Sequence, residues 1–103
     1  MKTRNYKDHL LEQLQKPQEA AAYLNAALKD EDPHVFLMAL RDLTEAKGGV
    51  GWLAEEADLN RENLYRTLSI KGNPRFFNLL AVLDAVGMEL KIQARSKRTR
   101  RLS

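Results

Sequence analysis

A chain of 103 residues, 44% apolar and 30% charged with a formal net charge of +3, has the size for one domain with a single modest core. It contains no cysteine, which excludes a disulfide framework and a cysteine-ligated zinc finger and fits a cytoplasmic address. Its longest apolar run, Val35 to Leu40, falls far short of the roughly 18 residues that span a membrane, and the polar amino terminus lacks a signal-peptide apolar region.

Five of the 17 basic side chains, and none of the 14 acidic ones, fall in residues 95–103. The high pI therefore belongs to the tail, which has the composition of a disordered basic arm, while the body carries a small acidic excess. For nucleic acid, what matters is where the body's own basic groups fall.

Taken in order, residues 1–15 hold Leu10 and Leu14 at i, i+4 and predict a short amphipathic helix. Pro17 suits the first turn of a second helix, which residues 18–29 continue with Ala20, Tyr23, Leu24, Ala27 and Leu28 at helical spacing. Asp30-Glu31-Asp32-Pro33 is a linker and a start signal together: Asp32 caps, Pro33 takes the first helical position, and the acids favour the positive end of the helix dipole. A third helix then runs to Lys47, with Phe36, Leu40 and Leu43 inward, and Gly48-Gly49 ends it. Beyond residues 50–69, Lys71-Gly72-Asn73-Pro74 is a turn. Residues 75–86 predict a helix that buries Phe76, Leu79, Leu80, Leu83 and Val86, with Gly87 as its stop. Residues 88–94 alternate apolar and polar, which predicts a half-buried strand whose open edges call for a second copy or another protein. Tyr6, Tyr23, Phe36, Phe76, Phe77 and Trp52 are assigned to core packing.

Residues 50–69 read as two short helices around a tight turn. Leu53, Ala54 and Ala57 give the first an apolar stripe, and small Ala54 lets the second approach. Asp58-Leu59-Asn60 interrupts, with Leu59 turned inward and Asn60 capping the next helix. Leu64 and Leu68 form that helix's inner face. This is the pattern of a DNA-binding helix-turn-helix, whose second helix enters the major groove.

Catalytic chemistry finds no purchase. His9 and His34 lie on different predicted helices and read as surface residues, and no cysteine nucleophile is present. The glycines at 48, 49 and 51 lack a preceding strand, so they make no phosphate-binding loop. Adjacent Glu55 and Glu56 stand about 100° apart on a helix and do not converge on one substrate. No catalytic residue, metal ligand or cofactor is expected.

With Leu64 and Leu68 inward, Glu62, Arg66 and Ser69 fall on the opposite face. Asn60 and Arg61 occupy the amino-terminal tip, which reaches base edges in helix-turn-helix proteins. An arginine can read guanine O6 and N7, and Glu62 can accept from cytosine N4. Asn63 and Tyr65 flank this face, Tyr65 suited to a phosphate or a thymine methyl. Lys71 and Arg75 bracket the following loop, where phosphate contacts set register without reading sequence.

The run LAEEADLNRENLYRTLS, then GNP, then a helix ending in AVG, resembles the HigA-like antidote proteins of bacterial addiction (toxin–antitoxin) modules, a group within the Xre/Cro-like repressors. The resemblance covers residues 32–92 well and the amino-terminal part more loosely. Asp58 stands where such motifs usually carry a turn glycine, and Trp52 where a polar residue is common. Asp tolerates the left-handed conformation better than most residues, so the first departure is mild. The resemblance implies an antitoxin that binds a small toxin of the RelE/ParE type and represses the operon encoding both, without a cofactor.

The expected architecture is all-α in the main: a five- or six-helix bundle with a helix-turn-helix and one carboxy-terminal β-strand. Residues 1–94 form the domain (1–31 leading helices, 32–87 DNA-binding core, 88–94 strand), followed by the tail. The expected function is sequence-specific repression from a double-stranded DNA operator, with a toxin partner, as a homodimer. A stand-alone Cro-like repressor and an interaction module that does not touch DNA remain the alternatives.

Overall fold

The computed structural model describes residues 5–69 and 71–96. Six helices follow one another: α1 (Tyr6–Gln13), α2 (Pro17–Leu28), α3 (His34–Lys47), α4 (Val50–Ala57), α5 (Arg61–Thr67) and α6 (Phe76–Ala85). The arrangement is an all-helical six-helix bundle. Helix α3 is the axis of the amino-terminal half, packing on α1, α2 and α4, while α4 also carries α5 and α6. One apolar cluster runs through the bundle from Leu14 and Leu24 through Phe36, Leu40, Leu43 and Leu53 to Leu64, Leu68, Val82 and Val86.

Short-range chemistry explains the helix boundaries. Asn5 and Asn60 cap α1 and α5, accepting from the N–H groups of Asp8 at 2.8 Å and Asn63 at 2.7 Å. Pro17 opens α2 in its first turn. Asp32 Oδ1 accepts from the His34 N–H at 2.9 Å while Pro33 already has helical backbone angles. That bond is the first reason the Asp32 carboxyl titrates below the usual range, with the His34 ring adding to it.

Three helices stop over a residue at positive φ, α3 and α6 with crossed bonds and α4 with two N–H groups on one carbonyl. At α3, Gly48 and Gly49 donate back to Glu45 and Thr44. At α6, Gly87 and Met88 donate to Asp84 and Leu83, at 3.0 and 2.8 Å. At α4 the positive-φ residue is Asp58 (φ 57, ψ 42), and Leu59 donates to Ala54 at 3.2 Å. Asp58 is the only non-glycine with positive φ among the described residues. Asp58→Gly is expected to raise the unfolding free energy by up to about 1 kcal/mol, because glycine meets no Cβ clash in this conformation. Urea unfolding checks it, and a loss of stability would show that the carboxylate itself holds the turn.

Several sequence expectations change. No strand forms at residues 88–94. The Met88 N–H is committed to closing α6, and residues 89–96 are exposed and without regular structure. A strand needs a ladder partner, and no neighbouring strand exists among the described residues. Ile92, at 95% exposed, is the extreme case. Tyr6 (76%), Phe76 (58%) and Phe77 (81%) are exposed and do not pack in the core. Helix α6 packs on α4, which has only eight residues, through Val82, Leu83 and Val86, and its first turn with both phenylalanines stays uncovered. Trp52 is half-buried against the cluster, lying over Gly48. Of the basic tail, Arg95 and Ser96 are exposed, and the rest lies outside the described residues.

Candidate nucleic-acid interface

Helices α4 and α5 are joined by Asp58, Leu59 and Asn60. Leu53 on α4 and Leu64 and Leu68 at α5 are buried together in the cluster, with Ala54 and Ala57 packed beside them. That packing leaves Arg61, Glu62, Tyr65 and Arg66 exposed on the outer side of α5. Thr67 turns inward, its hydroxyl donating to the Asn63 carbonyl at 2.8 Å. Asn63 thus has both backbone groups engaged, its N–H by the Asn60 cap, and its side chain is free to face outward.

Two grooves flank α5. The first, of about 650 Å³, lies between α5 and the start of α6 and is lined by Asn63, Arg66, Ser69, Gly72, Asn73 and Arg75, among others. Two guanidinium groups and several amides therefore meet on one concave surface. The second, of about 600 Å³, opens on the other side toward α1 and α3, where Tyr65 and Ser69 face Lys7, Arg41, Asp42 and Glu45.

The nine residues singled out from sequence are thus not one patch. Asn63, Arg66, Ser69 and Arg75 line the first groove, whereas Tyr65 looks into the second and Ser69 touches both. Arg66 donates to Glu62 at 3.2 Å, an exposed i, i+4 pair. Glu62 and a nucleic acid would compete for the same guanidinium. Arg61 lies back over α4: a Cβ on Gly51 would come within 2.9 Å of its Nη2. Asn60 spends its side chain on the cap. Lys71 is exposed and lines neither groove, while its N–H meets Ser69 Oγ at 3.3 Å.

The loop after α5 is held from two directions. Gly72 sits so close to α5 that a Cβ there would meet the Arg66 carbonyl at 3.0 Å and the Ser69 Cβ at 3.2 Å. From the other side, His34 Nε2 lies 3.1 Å from the Gly72 carbonyl oxygen and Nδ1 lies 3.0 Å from Asp32 Oδ1. His34 lies at the surface, its side chain 42% exposed, and both of its ring nitrogens stand within hydrogen-bond distance of an oxygen. Sequence reasoning also missed Asn73 and Asn78, which line the first groove. The turn signal of Gly72-Asn73-Pro74 pointed at the former, and nothing local pointed at Asn78.

On the second groove's side, Asp42 is a polar junction. The Tyr23 hydroxyl donates to its Oδ2 at 2.7 Å, and Lys7 approaches Oδ1 at 3.5 Å and Glu45 at 3.2 Å. Burial first, then the bond to Asp42 and that carboxylate's charge, push the Tyr23 hydroxyl well above the ordinary phenol range. The Lys7 ammonium is likewise raised, chiefly by its bond to Glu45. Helix α1 has no fully buried residue of its own; Leu10 and the capping Leu14 pack on the cluster, and the Lys7 ion pairs with the Gln15 amide on the Ala46 carbonyl add polar ties to α3.

Among the described residues no group of three or more His, Asp or Glu could hold a metal ion, and no helix is long and apolar enough to cross a membrane. A family model described as "probable addiction module antidote protein" matches residues 5–94. A protein of Haemophilus influenzae strain Rd, itself described only as uncharacterized, is 33% identical over 82 residues, covering 80% of this chain and 84% of the relative. No solved structure matches the chain. Since the family match takes in all six helices together with the grooves on either side of α5, the chain belongs to the addiction-module antidote proteins, which are regulators and not enzymes.

Proposed function

We propose that the protein is a DNA-binding repressor that doubles as the antitoxin of its module, with α4 and α5 as a helix-turn-helix and α5 as its reading helix. The observation that carries the reading is the first groove, where Arg66 from α5 and Arg75 from the start of α6 meet with Asn63, Asn73 and Asn78. Convergent guanidinium and amide donors suit phosphate oxygens and base edges, and the exposed tip at Asn60, Arg61 and Glu62 belongs against bases. Residues 32–87 form the DNA-binding core of a domain spanning 1–94, Lys71 supplies a phosphate contact, and the tail adds charge without sequence information.

The toxin partner implied by the family's description is proposed to be a small basic protein of the RelE/ParE type. The body's acidic excess supports this, since opposite potentials steer encounter. The exposed acids Asp30 and Glu31, next to the leading helices, are the docking candidates. The segment 88–94, exposed from residue 89 onward with Leu90 and Ile92 outward, is proposed to pair with a second copy, giving a twofold dimer for a palindromic operator. No membrane contact is part of this reading, and its place is the cytoplasm.

The test is co-expression with the small basic protein encoded next to this gene, scored by rescue of growth and by operator binding. The double variant Asp30→Asn, Glu31→Gln keeps an oxygen to accept the Asp32 N–H, so the fold is spared. It is expected to slow toxin association several-fold at low salt and weaken rescue, with DNA binding unchanged. Unchanged rescue would move the toxin site, and operator binding without any toxic neighbour would leave a stand-alone repressor.

A further inference from the structure

The His34 ring bridges two parts of the chain that lie 38 residues apart. Its two partners, the Asp32 carboxylate and the Gly72 carbonyl, have lone pairs and no hydrogen to give. A neutral imidazole has one N–H and can satisfy one of them; the imidazolium has two and satisfies both. Where only one N–H is present it stays with the carboxylate, because a bond to an ionised acceptor is about twice as strong as one to a neutral carbonyl. The bond given up on deprotonation is therefore the one to Gly72, and an imidazole lone pair is left facing a carbonyl oxygen.

We propose that His34 is a proton-operated clamp on the loop at residues 71–75, and that protonating it tightens the grip of the first groove on duplex DNA. This inference rests on the reading of that groove as the DNA-binding surface. The loop supplies Gly72, Asn73, Pro74 and Arg75 to the groove wall opposite Arg66. Gly72 is also packed tightly against the end of α5, where a Cβ would lie 3.0 Å from the Arg66 carbonyl oxygen. Without the His34 bond, Gly72 keeps its hydrogen bond to the Ser69 carbonyl at 2.9 Å but loses its tie to the start of α3. The charged groups of the two segments that meet at the imidazole are Asp30, Glu31 and Asp32 on one side and Lys71 and Arg75 on the other. Asp32 bonds the ring directly, and Asp30 is held to the Asp32 N–H at 2.9 Å. The sign follows from the bonds: the imidazolium completes the clamp, and the neutral ring gives up its Gly72 half. Duplex binding is then linked to proton uptake, so affinity rises as pH falls.

Two measurements test this on the full chain with wild type, His34→Gln and, as a control for the other histidine, His9→Gln. The first follows the backbone amide resonances of Gly72 and Asn73 between about pH 8 and pH 5 without DNA. They are expected to titrate in wild type and His9→Gln and to stay flat in His34→Gln, whose side chain is uncharged throughout. The second measures binding of a short fluorescent duplex of arbitrary sequence at low salt, where phosphate contacts dominate. Wild type is expected to bind about fivefold tighter at the acid end than at the basic end, after the change seen in His34→Gln is subtracted. Flat amide resonances in wild type, a titration that survives in His34→Gln, or equal pH dependence of duplex binding in both proteins would each overturn the proposal. Failure of wild type to bind any duplex would overturn the DNA reading and the second half of the proposal with it, while the amide titration separately decides the clamp.

Discussion

Leu64→Ala is expected to lower the unfolding free energy by about 2–5 kcal/mol, enough to leave little or no folded protein at ordinary temperature if total stability lies at the low end of the usual 5–15 kcal/mol. Leu64 is wholly buried, with Leu53, Leu68 and Val82 in the same cluster. Truncation removes its transfer energy and leaves a cavity between short helices that have few other ways to hold together. Helix α5 has seven residues, far below the length at which a helix is stable alone, so its existence depends on this packing. The neighbouring Tyr65→Ala is the control: Tyr65 is exposed, and its loss is expected to change stability by no more than about 0.5 kcal/mol. Thermal unfolding followed by circular dichroism measures both. Equal effects from the two would mean that the inner and outer faces of α5 are assigned the wrong way round.

Arg66→Ala is expected to do the opposite, leaving stability almost untouched while weakening operator binding by about 1–3 kcal/mol, roughly 5- to 150-fold. Among the described residues its side chain's one ion pair is the exposed one with Glu62, and such i, i+4 pairs contribute only about 0.3–0.5 kcal/mol to a helix. Arg61→Ala is expected to have a similar effect on binding, provided the Arg61 guanidinium swings off Gly51 to reach the duplex. Glu62→Gln separates two roles. If Glu62 only occupies Arg66, the variant binds DNA more tightly; if it accepts from a cytosine, preference at one base position blurs. Operator affinity unaltered by both arginine changes would put the reading face elsewhere. In each case binding measured at two salt concentrations shows whether a phosphate or a base contact was lost, since only the phosphate contact changes the salt slope by about one.

The structure also bears on how the leading helices can be tested. Deleting residues 1–29 would not separate toxin binding from DNA binding. Leu14, Ala20, Leu24 and Ala27 are part of the common core, and α2 packs on α3. The deletion would strip one side of α3 and expose Phe36 and Leu40, so loss of rescue would report unfolding. Surface substitutions at Asp30 and Glu31 avoid that confusion.

What the sequence by itself determined was everything set by neighbours a few residues apart. Asn60 as a cap, Asp58 in the left-handed turn, Pro17 and Asp32 as helix starts, Gly48 and Gly87 as stops, and the inward spacing of Leu53, Leu64 and Leu68 are all local, because caps and periodicity act within one or two turns. They located α4, α5 and the exposed side of α5, together with most of the residues proposed to meet DNA. Tertiary structure alone decided the rest. Whether Phe76 and Phe77 are buried depends on how far α4 reaches along α6, and whether residues 88–94 form a strand depends on a partner they do not have among the described residues. The division of Arg66 and Tyr65 between two grooves, the resting of Arg61 on Gly51, and above all the bridge from Asp32 through His34 to Gly72 come from segments far apart in the chain. A propensity or a spacing records only what a residue's neighbours in sequence require of it, and these positions are determined by groups that only folding brings within 4 Å.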